Sequence, residues 1–230
     1  MRVVWPFDTL TPRKYRVVVI DPPWKMSMGT KSRPQHYPRM TDAELIELAE
    51  SIRLLAHPEG CAFFVWFTSP MLVRALRIVM QGWRLRYSAR AFVWIKTKGD
   101  AGALFVAPAS LHVSTGYTTR KNAEDCYLFK LGRPRRLARN VREVIFAPLR
   151  EHSRKPDETF ERIEQLFAGP YCELFSRQTR PGWDTWGRDR GMFDGVQEEA
   201  QRQPSGSHAP AGERRAPRAG SRGADPAVSV

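Results

Sequence analysis

The run Val17-Val18-Val19-Ile20, followed at once by Asp21-Pro22-Pro23-Trp24, constrains this chain more than any other feature. Four consecutive β-branched apolar residues read as a short strand buried on both faces. The strand stops at the prolines, which cannot donate to a sheet ladder and hold their predecessors extended. Asp21 therefore sits at the carboxyl end of a buried strand, with a stiff elbow behind it and a large ring beside it. In an open α/β sheet, that end of a strand is where ligands bind.

The arrangement suits chemistry on the exocyclic amino group of a base. Such a nitrogen is planar because its lone pair is delocalised into the ring. Asp21 can accept one amino hydrogen and the Pro22 carbonyl the other, which favours the pyramidal, nucleophilic form. Trp24 offers a face for an unstacked base. The prolines fix the acceptors in advance, so little reorganisation accompanies reaction. The plainer reading is a strand followed by a proline turn, since Asp-Pro commonly opens turns. The position directly after a buried strand favours the functional one.

On these residues the chain resembles the MT-A70-like N6-adenine methyltransferases, which carry Asp-Pro-Pro-Trp as their catalytic motif and use S-adenosylmethionine. The resemblance runs over residues 17–187. It implies catalytic roles for Asp21, Pro22, Pro23 and Trp24, and direct in-line methyl transfer with neither a metal nor a covalent nucleophile. His152-Ser153-Arg154-Lys155-Pro156 is similar to the family's His-Ser-x-Lys-Pro, and Glu173-Leu174-Phe175-Ser176-Arg177 to its Glu-Leu-Phe-x-Arg. The resemblance thus implies that Lys155, Glu173, Phe175 and Arg177 bind the cofactor, the lysine near its methionine part and the glutamate and arginine near its ribose. Read on residue type alone, a lysine before a helix is usually solvated. A strand glutamate is either an edge residue or a binder of ribose hydroxyls. Many family members follow a final Trp-x-x-x-Gly with Asn, whereas here Gly187 is followed by Arg188-Asp189.

The remaining pattern alternates strands and helices. Thr41-Asp42-Ala43-Glu44 is a capping box opening an amphipathic helix to about residue 56, with Leu45, Leu48, Ile52 and Leu55 on one face. A buried strand follows over 61–67. A helix capped at Ser69-Pro70 runs to Gln81 and is stopped by Gly82. Residues 83–96 give one or two strands, and 97–119 a long loop. Strands follow over 123–131, 144–146 and 171–176, with a helix over 157–167. Alternation of this kind predicts an α/β fold with a mostly parallel sheet. With the resemblance, it becomes a Rossmann-like class I methyltransferase of permuted order, catalytic strand first and cofactor strand last. Trp5-Pro6-Phe7-Asp8 either lines a cofactor pocket or caps the sheet. The catalytic domain is expected over 1–195, and 196–230, rich in Ala, Pro, Gly and Arg, reads as a disordered tail.

The formal charge is +13, of which the tail accounts for only +1, so the folded part is strongly basic and suits a polyanionic partner. Candidate nucleic-acid contacts fall in three places. Lys25, Lys31 and Arg33 lie in a loop that is either a lid or a solvated connector. Arg120 falls near the family's target loop. Arg133, Arg135, Arg136, Arg139 and Arg142 put five guanidinium groups in ten residues. The alternative for that run is a solvated basic loop. Cys61, Cys126 and Cys172 fall in predicted strands without metal-ligand spacing. With no long apolar run and no signal-peptide core, they point to a cytoplasmic protein. DNA is expected over RNA: the chain is compact, lacks zinc modules, and has 29 Arg to 8 Lys, a bias common in GC-rich bacterial or phage genomes. An RNA methyltransferase and a catalytically silent nucleic-acid-binding subunit are the alternatives.

Overall fold

A computed structural model describes residues 5–25, 39–99, 110–114, 118–151 and 153–194. Its seven strands are β1 (Val17–Ile20), β2 (Gly60–Phe67), β3 (Arg86–Thr97), β4 (Ala123–Gly132), β5 (Val144–Pro148), β6 (Tyr171–Leu174) and β7 (Trp183–Trp186). They form one sheet in the order β5-β3-β4-β2-β1-β6-β7. β1 is parallel to β2 and to β6, β6 to β7 and β3 to β5, while β4 runs against both of its neighbours.

β1 is buried along its whole length. A central strand covered on both faces must be apolar at every position, which is why four consecutive Val and Ile residues form it. α1 (Asp42–Glu47), α2 (Ala49–Leu55) and α3 (Leu72–Arg77) cover one face. There Leu45, Ile52, Leu55 and Ala75 share a core cluster with Val18, Ile20, Phe63 and Val65. α4 (Asp157–Leu166) covers the other, with Phe160 and Ile163 clustered with Val17, Val19, Phe64 and Trp66.

Several expected elements form with altered detail. The capping box at Thr41 and Glu44 is present, but the helix breaks at Leu48 into α1 and α2. The helix expected to be capped at Ser69 is a 3-10 turn (Ser69–Met71), then α3, then a π turn (Ile78–Gly82), with Thr68 at the N-cap position. The wide last turn, closed by Trp83 N–H to the Ile78 carbonyl at 2.9 Å, delivers Trp83 into the core. Its indole there donates to the Leu45 carbonyl at 2.7 Å. The 83–96 segment is one strand, with pairing irregularities between Tyr87 and Ala89 and between Arg90 and Phe92. β6 ends at Leu174 because Phe175 turns into the left-handed region at φ 60°. The tail over 196–230 lies outside the described residues.

β1 is a switch point. The chain leaves it for β2 on one side and returns, through α4, to β6 on the other. A crevice opens above the carboxyl ends of strands at such a point.

Candidate active site

Asp21, at the end of β1, stands at that crevice. The Pro22 carbonyl accepts the Trp24 N–H at 2.8 Å, a three-residue turn that fixes the elbow and leaves the carbonyl one lone pair. Met40 clamps the motif from outside: its N–H donates to the Pro23 carbonyl at 2.8 Å, and its own carbonyl accepts the Lys25 N–H at 3.2 Å. The indole of Trp24 donates to the Trp66 carbonyl at 3.1 Å and meets Phe67 edge-on at 6.4 Å between centroids.

Lys155 closes on Asp21 from the start of α4. Its Nζ lies 2.7 Å from Asp21 Oδ2 and 3.0 Å from Glu124 Oε1, and Glu124 Oε2 in turn lies 2.9 Å from Lys96 Nζ. Four charged groups of alternating sign thus form a chain, with Lys155 also over the Trp66 ring. The Lys155 side chain is 5 % exposed and that of Asp21 23 %, so the carboxylate faces the crevice and the ammonium lies behind it. Ser153 Oγ approaches the same Oδ2 at 3.5 Å, so among the described residues Oδ1 has no partner.

Burial opposes the charge on Lys155, but the Asp21 and Glu124 carboxylates more than offset it and hold the ammonium above its ordinary range. Burial also opposes charge on Glu124, yet Lys155 and Lys96 hold its carboxyl down to about 2. Asp21 is pushed up, first by burial and further by Glu124, with Lys155 opposing.

Glu124 and Lys96 were not singled out from the sequence. The signal in the sequence is weak, since both strands carry other charges, Arg86 and Arg90 in β3 and Asp125 and Lys130 in β4. Register makes it legible: Trp94 pairs with Glu124 and Ile95 with Ala123 across β3 and β4, which sets Lys96 beside Glu124.

Beside Asp21 lies a cavity of about 670 Å³. Glu173, Phe175 and Arg177 line it, as do Asp21, Pro22, Pro23 and Lys155. Trp24 is not among its lining residues. Register explains the meeting of distant residues: Val19 pairs with Glu173 and Ile20 with Leu174. Glu173 is central in the sheet rather than at an edge, and burial pushes its carboxyl up to about 7, against the hydrogen bond from Ser176 Oγ at 2.9 Å. Phe175 and Ser153 both border the cavity with φ in the left-handed region, a strain that accompanies binding sites. The N-terminal segment serves both of its expected purposes. Phe7 is buried against Trp186, while Asp8 lines the cavity.

The basic candidates divide. Lys25 and Arg120 are exposed near the carboxyl ends of the parallel strands, as Asp21 is. Lys31 and Arg33 lie outside the described residues. Arg133, Arg135, Arg136, Arg139 and Arg142 follow the end of β4, where Gly132 pairs with Gly60 at the amino end of β2. Because β4 is antiparallel, the structure places Arg133, Arg135 and Arg136 at the opposite end of the sheet from Asp21, while Arg142 lies two residues before Val144, which pairs with Val93 level with the carboxyl end of β2.

The MT-A70 family profile matches residues 15–189, which includes Asp21, Glu124, Lys155, Glu173, Phe175 and Arg177. The chain belongs to the MT-A70 family. MT-A70 methyltransferases use S-adenosylmethionine as methyl donor, so this protein is a methyltransferase of that cofactor class. It is 28% identical over 205 residues to the Type II methyltransferase M.MunI of Mycoplasma sp, with 79% of this chain and 80% of that protein covered. It is 29% identical over 189 residues to the human N(6)-adenosine-methyltransferase catalytic subunit METTL3 and to a Drosophila melanogaster MT-A70-like N(6)-adenosine-methyltransferase. It spans only 29% and 28% of those longer proteins.

The residues present fit the MT-A70 cofactor. Lys155 has three N–H groups and two carboxylate partners, leaving a donor for a third acceptor. Arg154, 5 % exposed, and Arg180 both line the cavity with an Nε that has no partner. Glu173 is a buried acceptor for hydroxyls. Among the described residues no helix is long and apolar enough to cross a membrane, and no three His, Cys, Asp or Glu side chains are grouped to hold a metal ion.

Proposed function

We propose that this protein transfers a methyl group from S-adenosylmethionine to N6 of adenine in DNA. The observation that supports it most is Asp21: a partly open carboxylate at the lip of the cavity, braced at 2.7 Å by Lys155, with a proline-fixed carbonyl beside it. The cofactor supplies an electrophilic methyl group on a sulfonium centre. Asp21 Oδ1 accepts one amino hydrogen of the target adenine, and the remaining lone pair of the Pro22 carbonyl accepts the other. Both acceptors strengthen as the nitrogen becomes pyramidal, so their help is greatest in the transition state. Methylation makes N6 cationic and one proton must leave. The raised proton affinity of Asp21 suits it to take that proton.

Lys155 has two tasks in this account. It fixes the Asp21 carboxylate in one orientation, and its free donor reaches the carboxylate of the cofactor's methionine part. Glu173 and Arg177 hold the ribose and Phe175 packs against the cofactor. Trp24 supplies a stacking face for the adenine, its own indole fixed by the Trp66 carbonyl.

DNA is favoured by the match to a Type II methyltransferase, which is 28% identical over 205 residues. The test is incubation with methyl-tritiated cofactor and either DNA or RNA, followed by digestion to nucleosides. Label in N6-methyl-2′-deoxyadenosine supports the proposal, and label confined to the ribonucleoside replaces DNA with RNA.

A further inference from the structure

The arginine run, whose first members the fold carries away from the cavity, has no task in the reaction just described. Arg133, Arg135, Arg136, Arg139 and Arg142 are all exposed, and none pairs with a carboxylate among the described residues. Arg86 joins them, its guanidinium 3.4 Å from the Gly132 carbonyl. The nearby acids are already engaged: Glu59 pairs with Arg16 at 2.7 Å and Glu143 with Arg90 at 3.1 Å. The patch is thus an uncompensated block of positive charge.

The loop that carries it is held firmly. Gly60 (φ 138°) packs so closely that a Cβ there would lie 2.7 Å from the Pro134 nitrogen. Leu137 N–H donates to the Leu166 carbonyl at 2.8 Å, and Arg136 forms a bridge with Phe167. Arg162, from α4, donates to the Arg142 carbonyl at 2.5 Å and the Val144 carbonyl at 2.8 Å. Clustered arginines on a fixed backbone lose little freedom when they meet a regular array of phosphates.

We infer that this end of the sheet is a second nucleic-acid surface, which grips the phosphate backbone of a long substrate away from the segment entering the cavity. The five steps from Arg16 to Asp21 span about 17 Å of strand, so a nucleic acid must curve round the domain or present a second segment to touch both ends. The grip is indifferent to sequence, because guanidinium–phosphate contacts position a duplex without reading it. This inference rests on the reading of nucleic acid as substrate.

The test uses the full chain and a 40-base-pair duplex of mixed sequence, titrated over a series of salt concentrations. In R135E/R136E/R139E, affinity at about 0.1 M salt should fall at least tenfold. The slope of log K against log salt should flatten by two to three, at about 0.9 per lost phosphate contact. R135K/R136K/R139K should keep most of the slope. Calorimetric affinity for S-adenosylmethionine, and the melting temperature, should be unchanged in both variants, which shows that the fold and the cavity are intact. If the wild type binds the duplex and the reversed variant, folded and cofactor-competent, binds it with the same slope, the inference is overturned while the proposed function stands. If the wild type binds neither duplex nor single-stranded DNA or RNA, both fall. Should R135E/R136E/R139E not fold, R135Q/R136Q/R139Q is judged by the same slope.

Discussion

Lys155 Nζ stands 2.7 Å from Asp21 Oδ2, so a residue of the proposed cofactor motif braces the proposed catalytic carboxylate directly. The two are separated by 134 positions in the chain and meet because β1 and β6 are neighbours in the sheet and α4 begins above them. The proposed cofactor and target sites therefore share a wall, and a change at Lys155 should be felt in both.

Breaking the charge chain at its centre should be costly. Glu124→Gln leaves two ammonium groups to one carboxylate in a buried setting, and removing one partner of such a network costs about 3–5 kcal/mol. The pH dependence has a definite sign. The Glu124 carboxyl sits at about 2 in the fold against 4.5 in the open chain, so its contribution is complete above about 4.5 and fades as the pH falls toward 2. Denaturant unfolding at pH 7 and at pH 3 should show the variant's deficit shrinking at the lower pH. An equal deficit at both would contradict the assignment.

Glu173 should behave in the opposite sense. Its carboxyl sits at about 7 in the fold and 4.5 in the open chain, so the open chain loses its proton first and stability declines as the pH rises from about 4.5 to 7. That gap corresponds to about 3 kcal/mol. Glu173→Gln keeps an acceptor for Ser176 and removes the titration. Its stability relative to wild type should improve by up to about 3 kcal/mol between pH 4.5 and pH 8, while its cofactor affinity falls. A stability difference that does not vary with pH would refute the buried, titrating glutamate.

Trp24 and Lys155 should separate by ligand. Trp24→Ala should leave cofactor affinity nearly intact and cost about 1–3 kcal/mol in nucleic-acid binding through lost stacking. Trp24→Phe keeps a ring but not the bond to the Trp66 carbonyl, so it should retain most of that binding. Lys155→Ala should weaken both. Calorimetry on the free protein decides it. Equal loss of cofactor affinity in Trp24→Ala and Lys155→Ala would place the indole in the cofactor's own pocket.

These residues also show what the sequence could and could not reveal. β1 and β2 were legible because strands buried on both faces must be continuously apolar, and the prolines after Ile20 marked where the first one ends. Lys155, Glu173, Phe175 and Arg177 were found through motif resemblance, and the structure gathers all four around one cavity. Lys96 and Glu124 were missed because their meaning lies in cross-strand register, a relation between residues 28 positions apart. The arginine run was visible as charge but not as a location. Its place depends on the direction of β4, which runs antiparallel to both β3 and β2. The segmented helix around α3 follows from the burial of Trp83, a tertiary effect that local propensity does not carry.

The central claim, that Asp21 acts on the amino group of the target and not on the cofactor, is tested most directly by Asp21→Ala. Lys155 keeps Glu124 as a partner in that variant, so the fold and the cofactor cavity should survive. The measurement is single-turnover transfer of tritiated methyl to DNA, with calorimetric affinity for S-adenosylmethionine determined on the same preparation. The account predicts cofactor affinity within a few-fold of wild type and a transfer rate reduced by about 10²–10⁴-fold, the range of an acid–base group. Transfer within a few-fold of wild type, or a loss of rate fully explained by loss of cofactor binding, would contradict it.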